Sequence, residues 1–134
     1  MSQQNVEVMK AAVERFNRGG EDDALLEEFY APEAVYHSRE DEPDTGTYRG
    51  RDAIRGLMQM WRNMFEEFSF DVDEYIDAGD SVVLLGWVSV RAAGSSAAIR
   101  EPYNWVARLG GGRVLEVHEY RTKDEAFKAV GLEE

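Results

Sequence analysis

The chain has 134 residues, a formal net charge of −12 and 43% hydrophobic residues, which suits a single domain over residues 1–134 with one core. It has no cysteine, which excludes disulfides and thiolate metal sites, and with only two histidines, His37 and His118, we expect no metal site. A negative charge of this size without a basic cluster disfavours nucleic-acid binding.

The same sequence predicts no membrane association. No stretch approaches the roughly 18 consecutive apolar residues of a membrane-spanning helix. The first residues lack the order of a signal peptide, in which basic residues precede an apolar run. We therefore expect a soluble, cytoplasmic protein.

Helical periodicity dominates the first part of the chain. A first amphipathic helix is predicted by Val6, Met9, Ala12, Val13 and Phe16, and Gly19-Gly20 ends it. Asp22 or Asp23 caps a second, short helix. Its inner stripe consists of Leu25, Leu26 and Phe29, and Pro32 ends it.

A third helix is predicted over Arg51–Phe65, because Ile54, Met58, Trp61 and Phe65 fall on one helical face. Before it, Ala34–Ser38 has β-forming residues. Glu40–Gly46 is an acidic loop that we interpret as solvated surface, with a lid as the alternative.

Four longer strands follow, predicted over Ser69–Ile76, Ser81–Ala92, Ile99–Leu109 and Arg113–Thr122, with turns at 78–80 and 110–112. A final helix begins near Asp124, with Ala126, Phe127 and Val130 facing inward. Because helices precede an antiparallel meander, the fold class is α+β, with about three N-terminal helices on the concave face of a curved sheet that encloses a pocket.

Two of these strands have features that bear on packing. Ser81–Ala92 is apolar on both faces and needs cover on both; helices can cover one, and a second subunit is the simplest cover for the other. Pro102 indicates an edge or a bulge, which leaves open which of Tyr103, Asn104 and Trp105 face inward.

Three segments carry a family resemblance: residues 22–32, the YRGRDAIR segment at 48–55, and the closing strand with EAFKAVGL. In this order the chain resembles the SnoaL-like, polyketide cyclase-like branch of the nuclear transport factor 2-like superfamily. The resemblance covers nearly the whole chain. It implies a cone-shaped α+β barrel, a pocket between sheet and helices, and a homodimer packed through the sheet. It says little about activity, because this fold hosts many functions.

Glu119 is the candidate catalytic residue. Cyclases and epoxide hydrolases that the chain resembles place an acid on the closing strand, and Glu119 falls at that position. By alternation Leu115, Val117 and Glu119 share a face. Burial raises the pKa of a carboxyl group, which suits it for proton transfer near neutral pH. The alternative is an exposed glutamate paired with Arg121 or Arg91.

The resemblance also suggests residues that line the pocket. Tyr36 and Ser38 match a water-holding pair of the epoxide hydrolases, with serine in place of asparagine. Trp87 and Ser89 occupy positions where those enzymes have an arginine and an aspartate, which argues against epoxide hydrolysis. The tryptophan is either part of the pocket wall or an ordinary core residue. Trp61, Tyr103 and Trp105 are the remaining aromatic candidates. His37 and His118 alternate away from Tyr36 and Glu119.

Three functions remain open. The first is an enzyme without a cofactor, a cyclase, isomerase or hydratase that uses Glu119 as acid or base on a small apolar or carbonyl-bearing molecule. The second is a dimeric protein that binds such a ligand without converting it. The third is a protein-interaction domain that uses the face of the sheet.

Overall fold

The computed structural model describes residues 2–19, 22–39 and 46–132. Within these ranges the chain forms four helices and six strands. The helices are α1 (Ser2–Arg18), α2 (Asp22–Phe29), α3 (Arg51–Met64) and α4 (Lys123–Ala129). The strands are β1 (Tyr30–His37), β2 (Thr47–Arg49), β3 (Phe65–Ala78), β4 (Ser81–Ala92), β5 (Ile99–Gly110) and β6 (Arg113–Tyr120). No helix of the described ranges has the length and apolar character to cross a membrane.

The six strands form one mixed sheet in the order β2-β1-β6-β5-β4-β3. Only the β1–β6 pair is parallel, and the other four pairs are antiparallel. The sheet is curved but not closed, since β2 and β3 form its two edges. The predicted α+β class with a curved, mostly antiparallel sheet is confirmed.

The inner face of the sheet holds the main core under α1, α2 and α3. Most of the predicted stripe residues are buried: Val6, Met9, Ala12 and Phe16 in α1, Leu25, Leu26 and Phe29 in α2, and Ile54 and Met58 in α3. Val13, Trp61 and Phe65, predicted in the same stripes, are only partly buried. The buried residues pack against the inward residues of the strands, which include Val82, Leu84, Val88, Trp105 and Val117. The amphipathic helices therefore form one wall of a core whose other wall is the sheet.

The outer face carries a second, smaller core under α4. Val83 and Leu85 of β4 and Val106 of β5 pack there against Ala126, with Phe127 and Val130 at the margin. A capping box between Thr122 and Glu125 begins α4. The prediction that β4 is buried on both faces is confirmed. Around Val83 and Leu85, α4 of the same chain covers the outer face.

Some boundaries differ from those predicted. β1 begins at Tyr30 rather than at Ala34, and Pro32 lies where the β1–β6 register shifts, a place that tolerates a missing N–H. β3 begins at Phe65, directly after α3, rather than at Ser69. The three-residue strand β2 was not predicted. Residues 40–45 of the acidic loop lie outside the described residues.

The register of β5 resolves the ambiguity at Pro102. The strand pairs with β4 without interruption from Arg108 to Ile99, whereas β6 ends opposite Asn104. Pro102 therefore lies where β5 has no β6 neighbour, as its missing N–H requires. Tyr103 and Trp105 face the helices, and Asn104 faces outward, where its Nδ2 donates to Arg121 O at 3.4 Å.

Candidate functional site

A cavity of about 390 Å³ lies on the inner face of the sheet, between α3 and strands β3 to β6. Its volume falls in the usual range of small-molecule sites, and its wall is mostly apolar. The lining residues are Ser38, Met60, Trp61, Met64, Phe65, Phe68, Phe70, Val88, Val90, Glu101, Tyr103 and Glu119. Glu119 is the one buried carboxylate among them.

Glu119 is 8% exposed and both of its carboxylate oxygens accept hydrogen bonds. Tyr36 Oη donates to Oε2 at 2.5 Å, and the backbone N–H of Arg39 donates to Oε1 at 3.1 Å. Hydrogen bonds donated to a carboxylate favour its ionised form, which partly offsets the cost of burial.

Parallel pairing of β1 with β6 brings Tyr36 to Glu119. Tyr36 lies opposite Val117 in that ladder, and the side chains of Tyr36, Val117 and Glu119 all project to the inner face. Burial, together with the neighbouring Glu119 charge, raises the pKa of Tyr36 well above its usual value. Burial followed by the Glu119 charge also raises the pKa of Tyr30. Tyr36 therefore remains a neutral hydrogen-bond donor at physiological pH.

Aromatic rings form the apolar wall. Trp61 stacks on Phe68 with ring centroids 5.1 Å apart and meets Tyr36 edge-on at 5.8 Å. Tyr103 presents one ring to the cavity, and the Arg39 guanidinium lies 4.2 Å from its centroid. Contacts of these kinds fix the rings in place, so the wall is a preformed aromatic surface.

The structure brings most of the predicted site residues together. Ser38, Trp61, Tyr103 and Glu119 line the cavity. Tyr36 and Trp105 line a neighbouring pocket of about 50 Å³. The alternative of an exposed Glu119 is wrong, because the side chain is buried and accepts a hydrogen bond from Tyr36.

Trp87 and Ser89 do not lie in the cavity, which corrects the placement inferred from the resemblance. Their neighbours Val88 and Val90 line it instead. Strand alternation therefore directs Trp87 and Ser89 to the outer face. There Trp87 Nε1 donates to Asp73 Oδ2 at 3.1 Å, and Ser89 Oγ donates to Asp71 Oδ2 at 2.6 Å.

Several lining residues were not among the predicted site residues. Phe68 was missed because the strand was predicted to begin at Ser69, after this residue. Val88 and Val90 alternate with Trp87 and Ser89 on β4, but the strand is apolar on both faces, so alternation does not show which face lines the cavity. The backbone N–H of Arg39 has no sequence signal, because it depends on how the chain leaves β1.

The residues able to hold a metal lie elsewhere. Among the described residues, one group of histidine, aspartate and glutamate side chains has ligating atoms close enough for a single ion, namely His37, Glu116 and His118. These three project from β1 and β6 to the outer face, as alternation predicted for both histidines.

Comparison with models of protein families shows the family to which this chain belongs. The family model described as SnoaL-like domain matches residues 9–117. The chain belongs to this SnoaL-like family, and the resemblance noted in the sequence is confirmed. The comparison with curated proteins gave no match.

Solved structures share the whole architecture at low sequence identity. Bal32a, from a soil-derived mobile gene cassette, is 20% identical with a TM-score of 0.79, and the match covers 96% of this chain and 97% of Bal32a. A protein of Jannaschia sp. CCS1 described as a candidate SnoaL-like polyketide cyclase is 17% identical with a TM-score of 0.75, over 89% and 85% of the chains. TerC, co-crystallised with polyporic acid, is 15% identical with a TM-score of 0.76, over 96% and 98%. At these identities the likeness concerns the nuclear transport factor 2-like fold.

Proposed function

We propose that this protein binds a small, largely apolar, carbonyl-bearing molecule in the aromatic cavity and that Glu119 exchanges a proton with it. The reaction class is a cyclisation, isomerisation or hydration that needs no cofactor. The observation that carries the proposal is the position of Glu119, a buried carboxylate in the wall of an otherwise apolar cavity of about 390 Å³.

Glu119 would act first as a base. The hydrogen bonds from Tyr36 and from the Arg39 N–H stabilise its carboxylate form. A substrate with an acidic proton next to a carbonyl group would lie against Trp61 and Phe68 and present that proton to Glu119. An apolar surround strengthens this transfer, because little water competes for the charge. The protonated glutamic acid can then return the proton to another atom of the same molecule.

The relatives support a small-molecule ligand in this fold. TerC was co-crystallised with polyporic acid, and the Jannaschia protein is described as a candidate polyketide cyclase. Both descriptions concern those proteins, whose sequences differ from this chain at more than four positions in five. They support the proposed class of ligand and leave the particular substrate to experiment.

A second candidate is ligand binding without conversion. It is favoured by the fact that both oxygens of Glu119 already accept hydrogen bonds from protein groups. In this case the carboxylate fixes the positions of β1 and β6 and contributes polarity to the pocket, but it does not exchange protons with the ligand.

Exchange of α-protons for deuterium separates the two candidates. A panel of cyclic and linear ketones in D₂O, followed by NMR, reports proton abstraction whatever product the natural substrate forms. We expect Glu119→Gln to lower the exchange rate roughly 100-fold or more, the usual range for loss of a general base. Glu101→Gln, which removes an exposed carboxylate of the same cavity, is the matched control and should change the rate by no more than a few fold.

Ligand binding is measured in parallel from the fluorescence of Trp61 and the other two tryptophans, with circular dichroism to verify folding. Compounds that bind to the wild-type protein but exchange no protons would exclude the acid–base role and favour binding without conversion. The same conclusion follows if the two glutamine variants exchange equally. Tyr36→Phe keeps the ring in place and, because it removes one stabilising hydrogen bond, should reduce exchange while leaving binding intact.

A further inference from the structure

The two histidines of the chain meet on the outer face of the sheet. His37 and His118 are directly opposite each other in the parallel β1–β6 ladder. Their rings stack with centroids 3.9 Å apart and planes inclined by 10°. Glu116 precedes His118 by two residues on β6, so that its side chain projects from the same face.

Both imidazoles turn the same nitrogen toward one carboxylate oxygen. Glu116 Oε2 lies 2.7 Å from His37 Nε2 and 3.4 Å from His118 Nε2. The ligating atoms of the three side chains all lie within 4.8 Å of one another. In a tetrahedral zinc site with bonds of about 2.0–2.1 Å, neighbouring ligand atoms are roughly 3.3 Å apart. The ligand atoms are thus close to this spacing, and rotation of the two imidazoles out of their parallel stack would bring all three onto one ion.

We propose that His37, Glu116 and His118 form a binding site for a divalent transition-metal ion of the Zn²⁺ type. Two imidazoles and one carboxylate are a ligand set suited to zinc and neighbouring transition metals, whereas Mg²⁺ and Ca²⁺ prefer oxygen ligands alone. Water would complete the tetrahedron. The side chains of His37, Glu116 and His118 are 24%, 30% and 39% exposed, so an ion can reach them from solvent.

Neighbouring groups orient these ligands. Thr47 Oγ1 lies 3.3 Å from His37 Nδ1, while His37 Nε2 faces the Glu116 carboxylate. With a metal in place of the Nε2 proton, the Thr47 hydroxyl would accept the Nδ1–H and hold the ring in the metal-binding tautomer. Arg108 Nη2 contacts Oε1 of Glu116 at 3.4 Å, which leaves Oε2 to the two histidines. The Arg108 charge opposes a cation, but the net charge of −12 of the whole chain attracts one.

A metal at this place would tie β1 to β6. The same two strands present Tyr36 and Glu119 on the opposite face, each next in sequence to one of the histidines. Binding to the folded state alone raises stability as the ion concentration exceeds its Kd. The inference rests on the outer-face geometry and is independent of the proposed activity.

Isothermal titration of protein without a polyhistidine tag with Zn²⁺ tests the site. The chain has no cysteine and no histidine outside this cluster, so imidazole-dependent binding can arise nowhere else. We expect one Zn²⁺ per chain. His118→Gln should weaken binding by more than roughly 100-fold, because loss of an outer-shell partner alone costs about 10–100-fold. Glu116→Gln should weaken it as well, and Glu74→Gln, an exposed carboxylate on β3, is the matched control that should not.

Two further readouts keep the test independent of how well a variant folds. Co²⁺ bound to the wild-type protein should give the intense visible bands of tetrahedral coordination, and Zn²⁺ should shift the NMR signals of both imidazoles together. Zn²⁺ should also raise the midpoint of thermal unfolding of the wild type by roughly 10 °C at a hundredfold excess over Kd. Absence of binding at millimolar Zn²⁺, or equal binding to wild type and His118→Gln, would overturn the proposal.

Discussion

The sequence was enough to identify Glu119 as a candidate catalytic residue, but not its contact with Tyr36. Glu119 could be chosen because it shares a face with Val117, and it lines the cavity. Leu115, predicted on the same face, is instead the extra residue at the β5–β6 register shift, and Val114 is buried in its place. The hydrogen bond between Glu119 and Tyr36 spans 83 positions of the chain. That contact depends on the parallel pairing of β1 with β6, which no local pattern predicts. A candidate acid was therefore accessible from the sequence, whereas the partner that holds it was not.

Tyr75 gives a prediction on pH dependence at the same scale. Burial against the inner core, followed by the charge of Glu14, raises the pKa of Tyr75 to about 12. An unfolded tyrosine titrates near 10. Between these values the unfolded chain releases a proton that the folded chain keeps, so the free energy of unfolding falls as pH rises. Below pH 10 both states hold the proton and the contribution is fully present.

Urea denaturation between pH 8 and pH 11 checks this prediction. Tyr75→Phe cannot ionise, so we expect its stability to fall less steeply above pH 10 than that of the wild type, with the two proteins compared relative to their own values at pH 8. Parallel curves for the two proteins would show that Tyr75 titrates alike in both states.

At the scale of elements, the β3–β4 hairpin depends on one glycine. The register of β3 shifts between Val72 and Glu74, and Gly86 lies opposite Val72 on β4. A Cβ atom on Gly86 would lie 2.1 Å from the carbonyl oxygen of Asp71. Backbone therefore approaches backbone at a bulge, where strands bend most sharply. This bend helps to place Phe70 and Val88 around the cavity.

We expect Gly86→Ala to lower the free energy of unfolding by about 1–3 kcal/mol, since the obstructing atom belongs to the backbone and cannot rotate away. Gly56→Ala is the matched control. Gly56 is exposed in α3 with no atom within 4 Å of the added Cβ, and alanine there should stabilise by about 0.5–1 kcal/mol. Denaturant midpoints of the two variants measure the difference, and a Gly86→Ala protein as stable as wild type would contradict the account of the bulge.

The bounds of helices and strands were predicted best where the apolar residues follow a long, regular pattern. β4 has the predicted bounds because a long, mostly apolar run lies between two turns. α3 was predicted one residue too long, since Phe65 continues the helical stripe although it already begins β3. Trp87 was misplaced because its position was inferred from the family, whereas the strand directs it to the outer face, with Asp73.

For the whole molecule, the order of helices before strands was enough to predict the class of fold. The sequence did not show which element covers the outer face of the sheet. A helix of seven residues has no sequence pattern that indicates where it packs. α4 buries Val83 and Leu85, so the part of the outer face that a second subunit could cover is smaller than the sequence suggested. Outside α4, the outer face carries His37, Glu116 and His118 on β1 and β6, and on β4 it carries Trp87 with charged neighbours of both signs.

We propose that the outer face around Trp87 packs against a second copy of the chain. Trp87 is half-buried there, with the Arg100 guanidinium 4.5 Å from its ring centroid and Asp71 opposite it on β3. Arg91 lies further along β4, opposite Glu67. A two-fold contact sets such a patch against itself, so that its positive and negative groups can pair between subunits. The net charge of −12 on each chain opposes association, and added salt, which screens that repulsion, should strengthen it.

Sedimentation velocity at micromolar concentration measures the association. Trp87→Ala should weaken the dimer by roughly 30-fold, the effect of losing a central aromatic anchor. Met64→Ala should not weaken it, since Met64 is 53% exposed but belongs to the cavity wall on the inner face. A monomer at every salt concentration, or equal loss in both variants, would show that α4 and the charged rim leave this face open to solvent, and any ligand chemistry would then be complete within one chain.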